Sequence, residues 1–152
     1  MKTSNGRVKK AVRDVRRRCE RCSEVVLADK PAEHDADKAS LLLSRIASER
    51  ILLMQPEHWR IEILSVITRL TLERVGQTLR LVESLNVEIC ASAEIYLRAS
   101  ALSGQFRHHL FDTLYHSIAL ENGITLITAD ESYFAKARGL GHIQLLTQYS
   151  VS

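Results

Sequence analysis

No apolar run in this chain approaches the roughly 20 residues that cross a bilayer, and its first residues are basic without an apolar export stretch. These absences predict a cytoplasmic protein with no membrane partner. Cysteine is scarce and odd in number, with Cys19, Cys22 and Cys90 alone, so free thiols are expected rather than a disulfide framework. A structural zinc site needs four ligands, and Cys19-x-x-Cys22 has no second pair. His34 and Cys90 stand at no spacing that would complete it. The six histidines include no i, i+4 pair of the kind that binds metal on a helix. Internal repeats and low-complexity tracts are also missing.

A length of 152 residues with 45% hydrophobic content supports one domain with a proper core. The formal charge of +3 is unevenly spread. Residues 1–24 hold nine Lys/Arg against Asp14, Glu20 and Glu24, a net of +6, whereas residues 25–152 carry −3. The chain therefore divides into a basic leader, 1–24, expected to be irregular or disordered, and a mildly acidic folded body, 25–152. Such a leader is either a nucleic-acid arm or a solvated tail.

Along the body, a polar segment, ADKPAEHD, precedes a helix through Ala39, Leu42, Leu43 and Ile46. ILLMQP is a strand stopped by Pro56, and Pro56-Glu57 opens a helix through Trp59, Ile63, Val66, Ile67 and Leu70. A further helix spans Glu73 to Leu85, VEIC is the next strand, and AEIYLRASAL is a helix interrupted by Gly104. The next helix carries Phe111, Leu114, Tyr115 and Ile118 as a core-facing stripe, with Asp112 beside it. Asn122-Gly123 ends it, and ITLIT reads as a buried parallel strand. A short helix through Phe134 and Ala137, a stop at Gly139 and Gly141, and a strand, IQLL, complete the chain. Helices alternating with short apolar strands predict an α/β sandwich around a mainly parallel sheet.

Three acids stand out in this frame. Asp130 ends an apolar strand, where open α/β sheets place their ligand sites. Asp112 lies early in its helix. Glu62 lies three residues after Trp59 and four before Val66, so it shares an apolar helix face, which is costly for an unpaired carboxylate. Plainer roles exist for each: a local contact of Asp112 with His116, an N-cap for Asp130, and a buried Glu62 satisfied by an arginine or a backbone donor. His108 and His109 read as loop or helix-start residues nearby. Three acids on three elements, with few histidines, suit a hard divalent cation such as Mg²⁺ or Mn²⁺, and such a site activates water against a phosphodiester.

The pieces EHDADKASLLLSRI, PEHWRIEILSVITR, FDTLYHSIALENG and ITLITADESYFAKA resemble the PIN domain, and more narrowly the VapC-like toxin ribonucleases of toxin–antitoxin pairs. The resemblance covers residues 25–147 and implies a PIN-like three-layer sandwich. It also implies a metal-dependent endoribonuclease in which Asp112, Asp130 and Glu62 hold Mg²⁺ or Mn²⁺, with Thr128 supplying a hydroxyl that positions the site. Implied partners are an RNA substrate, a small antitoxin protein and a second copy in a homodimer. Arg60, Arg69 and Arg107 are placed to contact an RNA backbone.

The family opens with a strand and an Asp in a motif such as V-D-A-S, where this chain has RRRCERCSEVV. That segment lacks apolar alternation, so the first strand is expected to be lost or irregular, together with one metal ligand. Asp14 is too far upstream and Asp29 too close to the next helix to substitute. One set of codons for Arg17 to Val25, read one nucleotide later, spells V-D-A-S-V-A-A-K-W, so the leader is expected to be out of frame with the body. The alternative to a nuclease is a catalytically impaired PIN-fold protein that binds antitoxin or nucleic acid without cleavage. A third expectation is a poorly folded chain, if the sheet centre is left unpaired.

Overall fold

The computed structural model describes residues 23–28, 36–48, 50–70 and 72–150. At its centre is a five-stranded sheet of β1 (Ser23–Ala28), β2 (Ile51–Gln55), β3 (Val87–Ile89), β4 (Thr125–Thr128) and β5 (Ile143–Leu145). The strand order is β3-β2-β1-β4-β5, and every neighbouring pair is parallel. Parallel neighbours need crossover connections, which helices supply. They are α1 (Ala36–Ala47), α2 (Trp59–Leu70), α3 (Val75–Ser84), α4 (Ala93–Phe106), α5 (Leu110–Asn122) and α6 (Glu131–Ala137). A 3₁₀ turn, Leu72–Arg74, opens the segment expected to be helical from Glu73.

Successive strand residues point to opposite faces, and two separate apolar clusters result. Met54 and Leu126 pack with Ile95 and Ala99 of α4, Leu114 and Ile118 of α5, and Tyr133 and Ala137 of α6. Their strand neighbours Leu53 and Ile127 pack with Leu42 and Ile46 of α1 and with Leu146. Both faces of the sheet are thus covered. α5 lies against α4 and contacts β1, β2 and β4, and its whole run Thr113–Ala119 is buried. Phe111 departs from the expected core-facing stripe and is 46% exposed.

The expectation of a lost or irregular first strand is corrected. Ser23–Ala28 forms the central strand, with Val25 beside both Leu53 and Thr125 and Ala28 beside Thr128. The physical reason is the sheet type. Alternation marks a strand with one wet face, whereas a parallel strand covered on both faces needs only a continuous apolar run, and Val25-Val26-Leu27-Ala28 is one. The strand begins inside the expected leader. The rest of that leader, with Asp14, Cys19 and Cys22, lies outside the described residues, as do Asp29 and His34.

Gly104 does not interrupt its helix, which runs on to Phe106 and ends with Arg107 in the left-handed region at φ 49°. A helix tolerates an isolated glycine at about 1 kcal/mol, so the tertiary packing of α4 on α5 overrides it. Gly123, at φ 65°, supplies the left-handed turn after α5, a conformation that costs glycine no steric strain. The chain leaves β1 toward β2 and β3 on one side, then returns to β4 on the other. That reversal between β1 and β4 is where an open parallel sheet forms a crevice beyond its carboxyl ends.

Candidate metal centre

Asp130 stands two residues beyond β4, at this crevice. It caps α6, its Oδ1 accepting from the Tyr133 N–H at 2.8 Å. Its own N–H donates to the Thr128 hydroxyl at 3.0 Å, and Thr128 is buried at the strand end. The turn is therefore fixed from both sides, and the plainer capping role is real. It occupies one oxygen only. The other, Oδ2, lies 3.2 Å from His108 Nε2.

Asp112 lies in the first turn of α5, where the helix dipole favours an acid. His109 caps that helix, its ring Nδ1 accepting from the Phe111 N–H at 3.4 Å. Asp112 Oδ2 is also 3.2 Å from His108 Nε2, so one imidazole nitrogen faces carboxylates from two elements. One donor atom from each of His108, Asp112 and Asp130 lies within 4.8 Å of the others, which is compact enough to hold a metal ion. Burial pushes the Asp112 carboxyl above its usual range, against the lowering influence of His108 and His109, while Asp130 and Glu62 raise it further. An acid so placed gains from a cation. The two carboxylates and the imidazole therefore fit a divalent ion in donor chemistry as well as in spacing.

Glu62 is outside this three-donor group. Its Oε2 accepts from the Tyr115 hydroxyl, and His58 Nε2 lies 3.6 Å away, one helical turn earlier. Among the described residues, neither an arginine nor a backbone donor is its partner. Glu62 is still near enough to raise Asp112, so it flanks the centre. His116 does not reach Asp112 either. It is fully buried, with Nε2 2.9 Å from the Gly141 carbonyl and Nδ1 2.9 Å from the Tyr133 hydroxyl. With Nε2–H donating to that carbonyl, Nδ1 is left to accept from Tyr133. The Tyr133 ring sits under His108 at 4.7 Å, and burial together with Asp112 and Asp130 holds its phenol well above the usual range.

Around the rim, exposed Phe111 stacks against His109 at 5.2 Å and meets the His58 ring at 4.7 Å. The Arg60 guanidinium lies over the Trp59 ring at 5.2 Å, and Arg69 Nε donates to the Ser65 carbonyl at 3.3 Å. Cys90 is a buried free thiol, and desolvation, aided by Glu88, pushes it up to about 12. It is a core residue and not a thiolate ligand. His108 is the functional candidate that pattern alone passes over. A search for paired histidines misses the His108–Asp112 pair, which has the same i, i+4 spacing.

No protein-family model matches the chain. No curated protein matches it either. Among solved structures, a toxin–antitoxin complex from Klebsiella pneumoniae superposes with a TM-score of 0.54 at 17% identity, covering 85% of this chain and 100% of that one. The protein PAE2754 from Pyrobaculum aerophilum superposes with a TM-score of 0.56 at 16% identity, covering 83% of this chain and 92% of that one. At these identities the likeness establishes a shared fold. Among the described residues, no helix is long and apolar enough to cross a membrane.

Proposed function

We propose that this chain is a PIN-domain, VapC-like endoribonuclease that hydrolyses RNA phosphodiesters with Mg²⁺ or Mn²⁺, as the cytoplasmic toxin of a toxin–antitoxin pair. The observation that carries this reading is the meeting of Asp112, Asp130 and His108 beyond the carboxyl ends of β1 and β4. The solved toxin–antitoxin complex of the same fold supports the biological setting.

In this reading Asp112 and Asp130 hold the metal, and Thr128 keeps Asp130 in place. A bound divalent ion supplies charge neutralisation at the phosphate and lowers the pKa of a bound water. Glu62, held by Tyr115, completes the acidic pocket and orients the attacking water. Phe111, with the rings of His58 and His109 beside it, offers an unpaired base a stacking face next to the metal centre. Arg60, Arg69 and Arg107 contact the backbone. Exposed Ile61, Leu72, Leu81 and Leu97 are apolar side chains of the kind that an antitoxin or a second copy covers.

The second reading is a PIN-fold binding protein without catalysis, favoured by the missing V-D-A-S opening. RNA binding and cleavage measured in EDTA and then with added Mn²⁺ separate the two. The nuclease cuts only with metal and stops when the metal is chelated. Binding that is indifferent to metal, with no cut product, supports the second reading.

A further inference from the structure

We propose that His108 is a direct ligand of the divalent ion, and that its imidazole biases the centre toward Mn²⁺ and later first-row ions over Mg²⁺. This rests on the metal-dependent reading above and adds a nitrogen donor to its all-oxygen ligand set.

Three observations support it. First, the spacing is that of neighbouring ligands. Metal–donor bonds of about 2.1 Å at right angles put adjacent donors about 3 Å apart, and His108 Nε2 is 3.2 Å from an oxygen of Asp112 and from one of Asp130. Second, the ring is held before any ion arrives. Its backbone N–H donates to the Ser103 carbonyl at 3.2 Å, and its carbonyl accepts from the Ser103 hydroxyl at 2.7 Å. The ring rests on Tyr133, whose hydroxyl is anchored to fully buried His116 and through it to Gly141. Third, only 14% of the His108 side chain is exposed, so the nitrogen faces the two acids rather than bulk water.

Donor chemistry sets the preference. Mg²⁺ favours oxygen and keeps its waters, whereas imidazole suits later divalent ions, whose affinity for nitrogen donors rises along the first row. A nitrogen in the first coordination sphere thus adds more to Mn²⁺ or Co²⁺ than to Mg²⁺.

The test needs no RNA. Electron spin-echo spectroscopy of Mn²⁺ on the full chain is expected to show coupling to an imidazole ¹⁴N, and His108→Phe, which keeps a ring on Tyr133, is expected to abolish it. Calorimetry is expected to show Mn²⁺ binding weakened at least about tenfold in His108→Phe and Mg²⁺ binding changed by less than about threefold. His108→Gln, checked for cooperative unfolding, provides a second variant with the same expectation. Absence of nitrogen coupling in the native chain would overturn the assignment. So would equal weakening of both ions, or a gain in affinity on removing the imidazole, which would make His108 a counter-ion of the metal-free acids. Nitrogen coupling without any RNA cleavage would leave His108 a ligand and overturn the nuclease reading instead. Metal-dependent cleavage without nitrogen coupling would do the reverse.

Discussion

The Tyr115 hydroxyl on α5 donates to the Glu62 carboxylate on α2, tying the helix that carries Asp112 to the acid that flanks it. With that bond removed, His58, 3.6 Å away, is the remaining partner of Glu62 among the described residues. Tyr115→Phe is expected to lower RNA cleavage about tenfold, a loss of about 1.4 kcal/mol of positioning. Mn²⁺ affinity should change little, because Glu62 lies outside the donor group. Single-turnover rates and calorimetry on the same variant check both halves. An unchanged rate would remove Glu62 from the chemistry.

Asp112 works against the fold in the absence of metal. Its carboxyl is held above the usual range, chiefly by burial, so its favourable contribution is full below the unfolded value near 4 and lost as pH rises through the folded value. Asp112→Asn is therefore expected to raise Tm in EDTA at pH 7.5, with the gain fading as pH falls toward 4. The native chain should instead be stabilised by Mn²⁺, by about 2.7 kcal/mol at a hundredfold excess over Kd, and the variant should lose that gain. Thermal melts in EDTA and in Mn²⁺ read both effects, and a variant that still gains from Mn²⁺ would exclude Asp112 as a ligand.

Phe111 is the one large apolar side chain of α5 that is both exposed and packed on two imidazoles beside the centre. Stacking of a base on such a face contributes about 1–3 kcal/mol. Phe111→Ala should weaken binding of single-stranded RNA about tenfold and leave the unfolding free energy within about 1 kcal/mol of the native chain. Fluorescence anisotropy with a labelled oligonucleotide checks it, and unchanged affinity would place the RNA elsewhere.

His116 predicts a pH dependence of stability. Burial, with His142 adding to it and the Gly141 hydrogen bond opposing it, holds the ring below its ordinary value of 6.5. The stability it confers is thus full above that unfolded value and is lost as pH falls toward the folded one. Tm should drop between pH 7.5 and 5.5. His116→Gln should start lower and show a flatter curve over the same range. Parallel curves would mean that other groups govern the acid limb.

The carriers of Asp112 and Asp130 are legible in the sequence because a helical stripe and a strand-end acid are local patterns. Their approach to one another is not local. It depends on β1 lying between β2 and β4, and that strand is hidden from a search for alternation because a sheet covered on both faces demands none. His108 is hidden for a related reason. Its role comes from a left-handed Arg107 and an aromatic prop, Tyr133, that is 25 residues further along the chain. Glu62 shows the opposite case, in which helix-face arithmetic finds the residue but not its partner on another helix.

The most direct test of the central claim is cleavage of a panel of structured RNAs in Mn²⁺ by the native chain and by Asp112→Ala. A metal-centred nuclease predicts cut products from the native chain that vanish in EDTA and in Asp112→Ala, while both proteins remain folded. Cleavage that survives either change, or its absence from a folded native chain that binds Mn²⁺, would contradict it.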